Sequence, residues 1–203
     1  MKSAVLLYSG GADSTLCAML LTDRGYAVHA LSVLFAGRPA GEIAASKALA
    51  AELTFASLHE IRLGGLATGA PGWVGGDHAH HEGLIPYRNL IFWSLAANRA
   101  ATVGAQAIAA GHTRYDADSY DDAGPAFFDT LARSLRFSGL GPVGRGVEIV
   151  LPLAALTPSE MASLLLTHRD FLRRTWSCWR DGDRPCGLCF ACKERTFEAL
   201  SKR

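Results

Sequence analysis

AVLLYSGGADST, residues 4–15, decides the fold of this chain. Ala4 to Tyr8 form an unbroken apolar run, the pattern of a strand covered on both faces. DSTLCAMLLTDRG, residues 13–25, then reads as a helix ended by Gly25. A strand that stops on two glycines and opens a helix puts unpaired N–H groups at the carboxyl edge of a sheet. The positive end of a helix dipole lies there too, so an anion is stabilised. Gly10 and Gly11 admit positive φ, which lets backbone N–H groups approach a phosphate closely. Ser9, Ser14 and Thr15 supply hydroxyl donors, and Asp13 is placed to hold Mg²⁺ or to cap the helix. The Gly-Lys-Ser/Thr ending of a P-loop is missing, and so is the G-x-G-x-x-G of a dinucleotide turn. Without the lysine, the turn suits a site that grips pyrophosphate while the nucleotide's α-phosphate enters the chemistry.

Outward from this turn, short apolar runs alternate with helical stretches, the signature of βαβ units and a parallel sheet. AVHALSVLF (27–35) reads as a second strand, GEIAASKALAAEL (41–53) as a second helix and FASLHEIRL (55–63) as a third strand. Residues 64–83 are glycine-rich and without period, a long loop of the kind kept for function and a candidate lid. NLIFWSLAANRAATVG (89–104) is a helix, AQAIAAG (105–111) a buried strand and GHTRYDADSYDDAG (111–124) a polar loop at that strand's end. TPSEMASLLLTH (157–168) carries helix-start signals: Thr157 at the N-cap, Pro158 at the first helical position and Glu160 closing a capping box. From about Phe171 the composition changes to tryptophan, arginine and cysteine, so 171–203 reads as a small lobe of one domain spanning 1–203. KERTFEALSKR ends it as an amphipathic tail.

The 203 residues suffice for one full core, and a formal charge of +1 gives no basic footprint for nucleic acid. No apolar run is long enough for a signal peptide or a membrane span, which points to a cytoplasmic protein. Cys178, Cys186, Cys189 and Cys192 follow a C-x7-C-x2-C-x2-C spacing. In a reducing compartment such clustering reads as metal, with Zn²⁺ the favoured ion for four thiolates. An Fe–S cluster and free thiols are the other readings. Four protein ligands close the coordination shell, so the zinc would be structural. The remaining cysteine, Cys17, reads as core.

SGGADS resembles the pyrophosphate loop of the ATP pyrophosphatases related to the N-type synthetases. Together with TWSCWRDGDRPCGLCFAC, residues 175–192, it is similar to one family in particular, the 7-cyano-7-deazaguanine synthases of queuosine biosynthesis. IPYRNLIFWSLA (85–96) resembles that family's Pro-x-Arg-Asn helix start, and LPLAALTPSE (151–160) its segment before a late helix. The resemblance implies an α/β, adenine-nucleotide alpha-hydrolase-like domain (PP-loop, Rossmann-like) with a C-terminal zinc lobe. It also implies ATP, Mg²⁺ and Zn²⁺ as cofactors, a deazaguanine carboxylate as substrate, ammonia as second substrate and a homodimer. The carboxylate is adenylated, ammonia displaces AMP, and a second ATP drives the amide to the nitrile. Carried over residue by residue, Tyr8, Ser9, Gly10, Gly11, Asp13, Ser14 and Thr15 hold ATP. Asp13, Ser14, Arg88 and Asp122 serve catalysis, and Arg38, Asn89, Gly111, Asp116 and Tyr120 meet the substrate.

The substrate side departs from the family. Its Tyr-Pro-Asp-Cys-Arg-Pro-Glu-Phe reads YDDAGPAF here, so Tyr120, Asp122, Pro125 and Phe127 match while Ala123, Gly124 and Ala126 replace Cys, Arg and Glu. Its Asp-Tyr-Gly-Gln-Arg-His keeps only Arg38 among the polar groups, and its Gly-Val-Asn reads Gly111-His112-Thr113. Losing polar groups there suits a different second substrate, such as a protein amine supplied by a partner protein in an anti-phage system. A zinc-stabilised nucleotide-binding module without catalysis is the rival of another class. His78, His80 and His81 read as a solvated loop or as metal or base candidates. Asn89 can cap a helix, Trp93 reads as core, and Trp176 and Trp179 as packing of the zinc lobe. Trp73 is a candidate for purine stacking.

Overall fold

Five parallel strands carry the molecule, and their order places the Gly10-Gly11 turn at the middle of the sheet. The computed structural model describes residues 2–66, 85–138, 146–189 and 191–193. The strands are β1 (Ser3–Leu7), β2 (Ala27–Phe35), β3 (Ser57–Leu63), β4 (Ala107–Ala109) and β5 (Glu148–Val150), arranged β3-β2-β1-β4-β5. Leu6 pairs with Ala30 on one side and with Ala109 on the other. The chain therefore winds outward from β1 in one direction, then returns to start β4 on its other flank. Ligands bind at such a reversal, outside the carboxyl ends of the two strands.

The helices α1 (Ala12–Asp23), α2 (Ala40–Ala50), α3 (Arg88–Val103), α4 (Arg114–Ser119), α5 (Pro125–Ser138), α6 (Pro158–Thr167) and α7 (Arg169–Leu172) complete the described elements, with a 3₁₀ turn at Asp121–Ala123. Alternation along β1 divides the core. Leu6 and Tyr8 pack with Cys17, Ala18 and Leu21 of α1, whereas Val5 packs with Trp93, Ala96 and Ala100 of α3 and with Phe128 and Leu131 of α5. A third cluster joins Leu16 to Leu153 and Leu172, under α6. Trp93 and Cys17 are fully buried, as expected of core residues. None of the described helices is long and apolar enough to cross a membrane.

Thr157 caps α6 through the expected capping box, accepting from the Glu160 N–H at 3.3 Å while Glu160 Oε2 accepts from the Thr157 N–H at 2.8 Å. Three expectations need correction. The polar loop 111–124 is largely structured, because Thr113 and Asp116 form a second capping box that starts α4. The amphipathic α5 and the three-residue β5 did not stand out in the sequence. Asn89 does not cap α3: Tyr87 holds the N-cap position with φ 55°, and Asn89 Nδ2 donates to the Asp122 carbonyl at 3.1 Å. The candidate lid falls largely outside the described residues, with Trp73, His78, His80 and His81, as does most of the tail from Lys193.

Candidate functional site

The loop after β1 holds its shape through its own hydroxyls. Ser9 Oγ accepts from the Gly11 N–H at 3.1 Å; Ser14 Oγ accepts from the Ser9 N–H at 3.2 Å and donates to the Gly11 carbonyl at 3.2 Å. The two hydroxyl oxygens lie 3.1 Å apart. This network folds the loop over the first turn of α1, whose N–H groups and dipole face the carboxyl end of the sheet. Asp13 is exposed in that turn, a hard oxygen ligand at the place where phosphates would lie. Thr15 is brought in only by its backbone, its N–H donating to the Gly11 carbonyl at 3.1 Å; its side chain is fully buried. Tyr8 is also buried, and its ring packs edge-on against Phe55, 5.1 Å between centroids.

The glycines answer to packing rather than to a shared positive φ. Gly10 has φ +86°, and a Cβ there would lie 2.5 Å from Ser46 Cα of α2. Gly11 is the extended N-cap of α1, φ −74°. Gly111, at the end of β4, presses on the first turn of α1: its Cβ would lie 2.6 Å from the Asp13 carbonyl carbon and 2.7 Å from the Ser14 nitrogen. The bare backbones at 10 and 111 let α2, β4 and α1 converge on one loop.

Arg38, expected at the substrate, is buried beneath that loop. Its guanidinium donates to Ser32 Oγ and the Val33 carbonyl, both at 2.9 Å, and to the Ser9 carbonyl at 2.6 Å; it pairs with Glu42 at 3.4 Å. Burial pushes the Glu42 carboxyl above its ordinary value, against the pull of the Arg38 and Arg88 guanidiniums. Beside them lies a cavity of about 100 Å³ whose lining includes Ser9, Val33, Phe35, Arg38, Glu42 and Phe92. Arg38→Lys keeps the charge but loses the fork, so it is expected to cost about 2–3 kcal/mol of stability, read by urea unfolding. An arginine that served a ligand alone would lower affinity and leave unfolding where it was.

Across the loop, Gly111 leads into His112 and α4. The His112 ring stacks on Trp93, 6.0 Å between centroids and 15° between planes, and meets Phe128 edge-on at 5.4 Å. Burial lowers the His112 pKa below the ordinary imidazole value; Asp116 and Asp122 pull upward, and the Arg88 charge adds to the lowering. Asp116, expected at the substrate, is engaged in the cap: its Oδ2 accepts from the Thr113 N–H and from Thr113 Oγ1, both at 2.7 Å. Arg88 opens α3 and faces solvent, as does Asp122, while Tyr120 ends α4 partly exposed. Asn89 fastens α3 to the 3₁₀ turn that carries Asp122.

The four cysteine sulfurs of Cys178, Cys186, Cys189 and Cys192 lie within 4.8 Å of one another, with Cys186 and Cys192 at 4.0 Å. Metal–sulfur bonds of about 2.3 Å in a tetrahedron separate thiolates by about 3.8 Å, so the set fits one ion and could hold zinc. Backbone N–H groups of Arg180 and Cys186 point at Cys178 Sγ, and those of Leu188 and Cys189 at Cys186 Sγ. The latter pair pulls the Cys186 thiol down to about 6, toward the thiolate a metal requires.

Two residues of this lobe reach the loop after β1 and the start of α2, a role their sequence context did not disclose. The Trp176 N–H donates to the Gly10 carbonyl at 3.2 Å, its indole Nε1 donates to the Cys178 carbonyl at 2.8 Å, and its ring fills the space a Cβ on Gly41 would need, 2.6 Å away. Asp181 Oδ1 accepts from the Ala40 N–H at 2.6 Å and so caps α2 from a distance. Pro39 before α2 was the available signal, since a helix opening without Ser, Thr, Asp or Asn needs its cap from elsewhere.

The model of one family, described as "Queuosine biosynthesis protein QueC", matches residues 3–202. A 7-cyano-7-deazaguanine synthase of Acetivibrio thermocellus is 30% identical over 200 residues, covering 95% of this chain and 90% of its own. That of Campylobacter curvus is 32% identical over 213 residues, covering 96% and 92%. In fold, the chain is similar to an NMN synthetase from Francisella tularensis, with a TM-score of 0.55 at 13% identity, covering 88% of this chain and 66% of the other. A hydroxyl-braced loop between β1 and α1, a cysteine set sized for one ion and a match along nearly the whole chain agree, and this chain belongs to the QueC family.

Proposed function

We propose that this chain uses Mg·ATP to adenylate the carboxylate of 7-carboxy-7-deazaguanine, releasing pyrophosphate, and that an amine then displaces AMP to form an amide. With ammonia as the amine, a second ATP activates the amide oxygen, which leaves with AMP as the nitrile forms. The loop Ser9–Ser14 at the N-terminus of α1 carries this reading. Its N–H groups, with the Ser9 and Ser14 hydroxyls, would bind the departing pyrophosphate, and Asp13 would hold Mg²⁺ against it. The cavity beside the loop, lined by Val33, Phe35 and Phe92, would seat the base of the nucleotide.

On the far side, Arg88 and Asp122 flank the place where the acyl group and the amine would meet, and Asn89, Tyr120, Gly111 and the Asp116 cap shape its wall. Arg38 serves this site through the Ser9 carbonyl. The four cysteines would hold Zn²⁺ in a closed shell, so the ion supplies shape to residues 171–203 of a single domain spanning 1–203. No covalent protein nucleophile is needed, and positioning with electrostatic stabilisation lowers the barrier.

The test is purified protein with Mg·ATP and 7-carboxy-7-deazaguanine, with and without ammonium, following pyrophosphate, AMP and product mass. Nitrile formed only with ammonium, at two AMP per nitrile, is the expected result. Adenylate or amide that accumulates without nitrile points to another acceptor, such as a protein amine, and fits the loss of polar groups at Ala123, Gly124 and Ala126. No release of pyrophosphate or AMP overturns the reading.

A further inference from the structure

We propose that His112 is the general base that takes the proton from the attacking amine. This rests on the acyl-adenylate reading above. In the step, the amine nitrogen bonds to the acyl carbon, the bond from that carbon to the AMP oxygen breaks, and the nitrogen's proton passes to an imidazole nitrogen. AMP leaves with the electron pair of the broken bond, and the imidazolium returns its proton to solvent.

Three observations converge on this side chain. Position fits: Gly111 lies against the Asp13–Ser14 peptide, so His112 is the next residue along from the loop, just past the carboxyl end of β4. Orientation is fixed, with Trp93 beneath the ring and Phe128 at its edge, while the residue remains partly open to solvent. A base so held needs little reorganisation when the amine arrives. The surrounding charges suit proton transfer, since Asp116 from α4 and Asp122 from the 3₁₀ turn can stabilise the imidazolium as it forms, while burial and Arg88 from α3 keep the resting ring neutral.

The test separates the two half-reactions in His112→Phe, which keeps an aromatic ring between Trp93 and Phe128, and in His112→Ala. Adenylation is read as pyrophosphate–ATP exchange with 7-carboxy-7-deazaguanine and no amine. Amide formation is read in a single turnover after ammonium is added. Exchange is expected to fall by less than threefold in His112→Phe, while amide formation at pH 7 falls by roughly 10²-fold. In the parent, amide formation at a fixed concentration of free NH₃ should decline as pH drops through a value below the ordinary imidazole pKa of 6.5, where the base becomes protonated. That limb should be missing from both variants. Hydroxylamine, a weakly basic amine already neutral at pH 7, should show a much smaller defect than ammonium. Equal losses in both half-reactions, an unchanged pH limb, or amide formation in His112→Phe within threefold of the parent would each overturn the assignment. Absence of exchange in the parent overturns the adenylation reading itself.

Discussion

Gly111→Ala is expected to slow pyrophosphate release about 100-fold while the protein still folds. The added methyl would sit 2.6 Å from the Asp13 carbonyl carbon, where ordinary contact begins at 3.4 Å, so something must move by nearly 1 Å. Neither side can give way cheaply. The strand before Gly111 is pinned, with Ala109 paired to Leu6 on one flank and to Val150 on the other. The helix behind Asp13 is anchored by Leu16, Cys17 and Leu21, all fully buried. The softest element is the first turn of α1 with the loop before it, and a misplacement of about 1 Å among positioning groups costs on the order of 10²-fold in rate. Gly64→Ala is the control, because nothing lies within 4 Å of its added Cβ. Steady-state pyrophosphate release with a melting curve for each variant checks the expectation. Activity within threefold of the parent would mean that the loop tolerates the shift.

Cys178→Ser is expected to abolish metal binding and, with it, nucleotide binding at a loop near the other end of the chain. Removing one thiolate opens a closed shell, and structural zinc sites contribute on the order of 10 kcal/mol to folding. The damage would not stay in the lobe. Cys178 lends its carbonyl to the Trp176 indole, and Trp176 in turn holds the Gly10 carbonyl and lies on Gly41. Once that segment loosens, α2 also loses its cap from Asp181. Metal content by mass spectrometry should fall from about one zinc per chain to background, and ATP affinity by titration calorimetry should drop at least tenfold. A chelator should do the same to the parent, reversibly on return of Zn²⁺, whereas Cys178→Ser should not recover. Unchanged ATP affinity in the metal-free protein would uncouple the lobe from the loop.

The fold was legible where local pattern and burial coincide. Ala4–Tyr8 and Ala27–Phe35 are apolar runs because both faces of those strands are covered, and Thr157-Pro158-Ser159-Glu160 states a helix start in its own chemistry. It was illegible where the decisive partner is distant. β5 is three residues long and owes its existence to pairing with β4. In residues 111–124 the abundance of aspartates suggested a solvated loop, yet Asp116 is an N3 residue whose carboxylate serves Thr113. The site shows the same division. The Ser9–Ser14 loop and the cysteine spacing announce themselves, whereas nothing near Arg38 in the sequence disclosed that it braces the loop from beneath. Its four partners, Ser9, Ser32, Val33 and Glu42, meet only when β1, β2 and α2 assemble. Trp176 escaped notice as a contact of the loop because its space is created by Gly41, far earlier in the chain.

The contact between Trp176 and Gly10 joins two segments that are synthesised far apart in time. A chain leaving the ribosome presents β1, α1 and α2 well before residues 176–181, so the loop after β1 emerges without its clamp and α2 without its cap. Until then the chain carries the sequence of that loop but not its braced shape. With zinc in the four-cysteine set, as proposed, a shortage of the ion would leave chains in that same unbraced state, so metal supply would set how many molecules complete the loop.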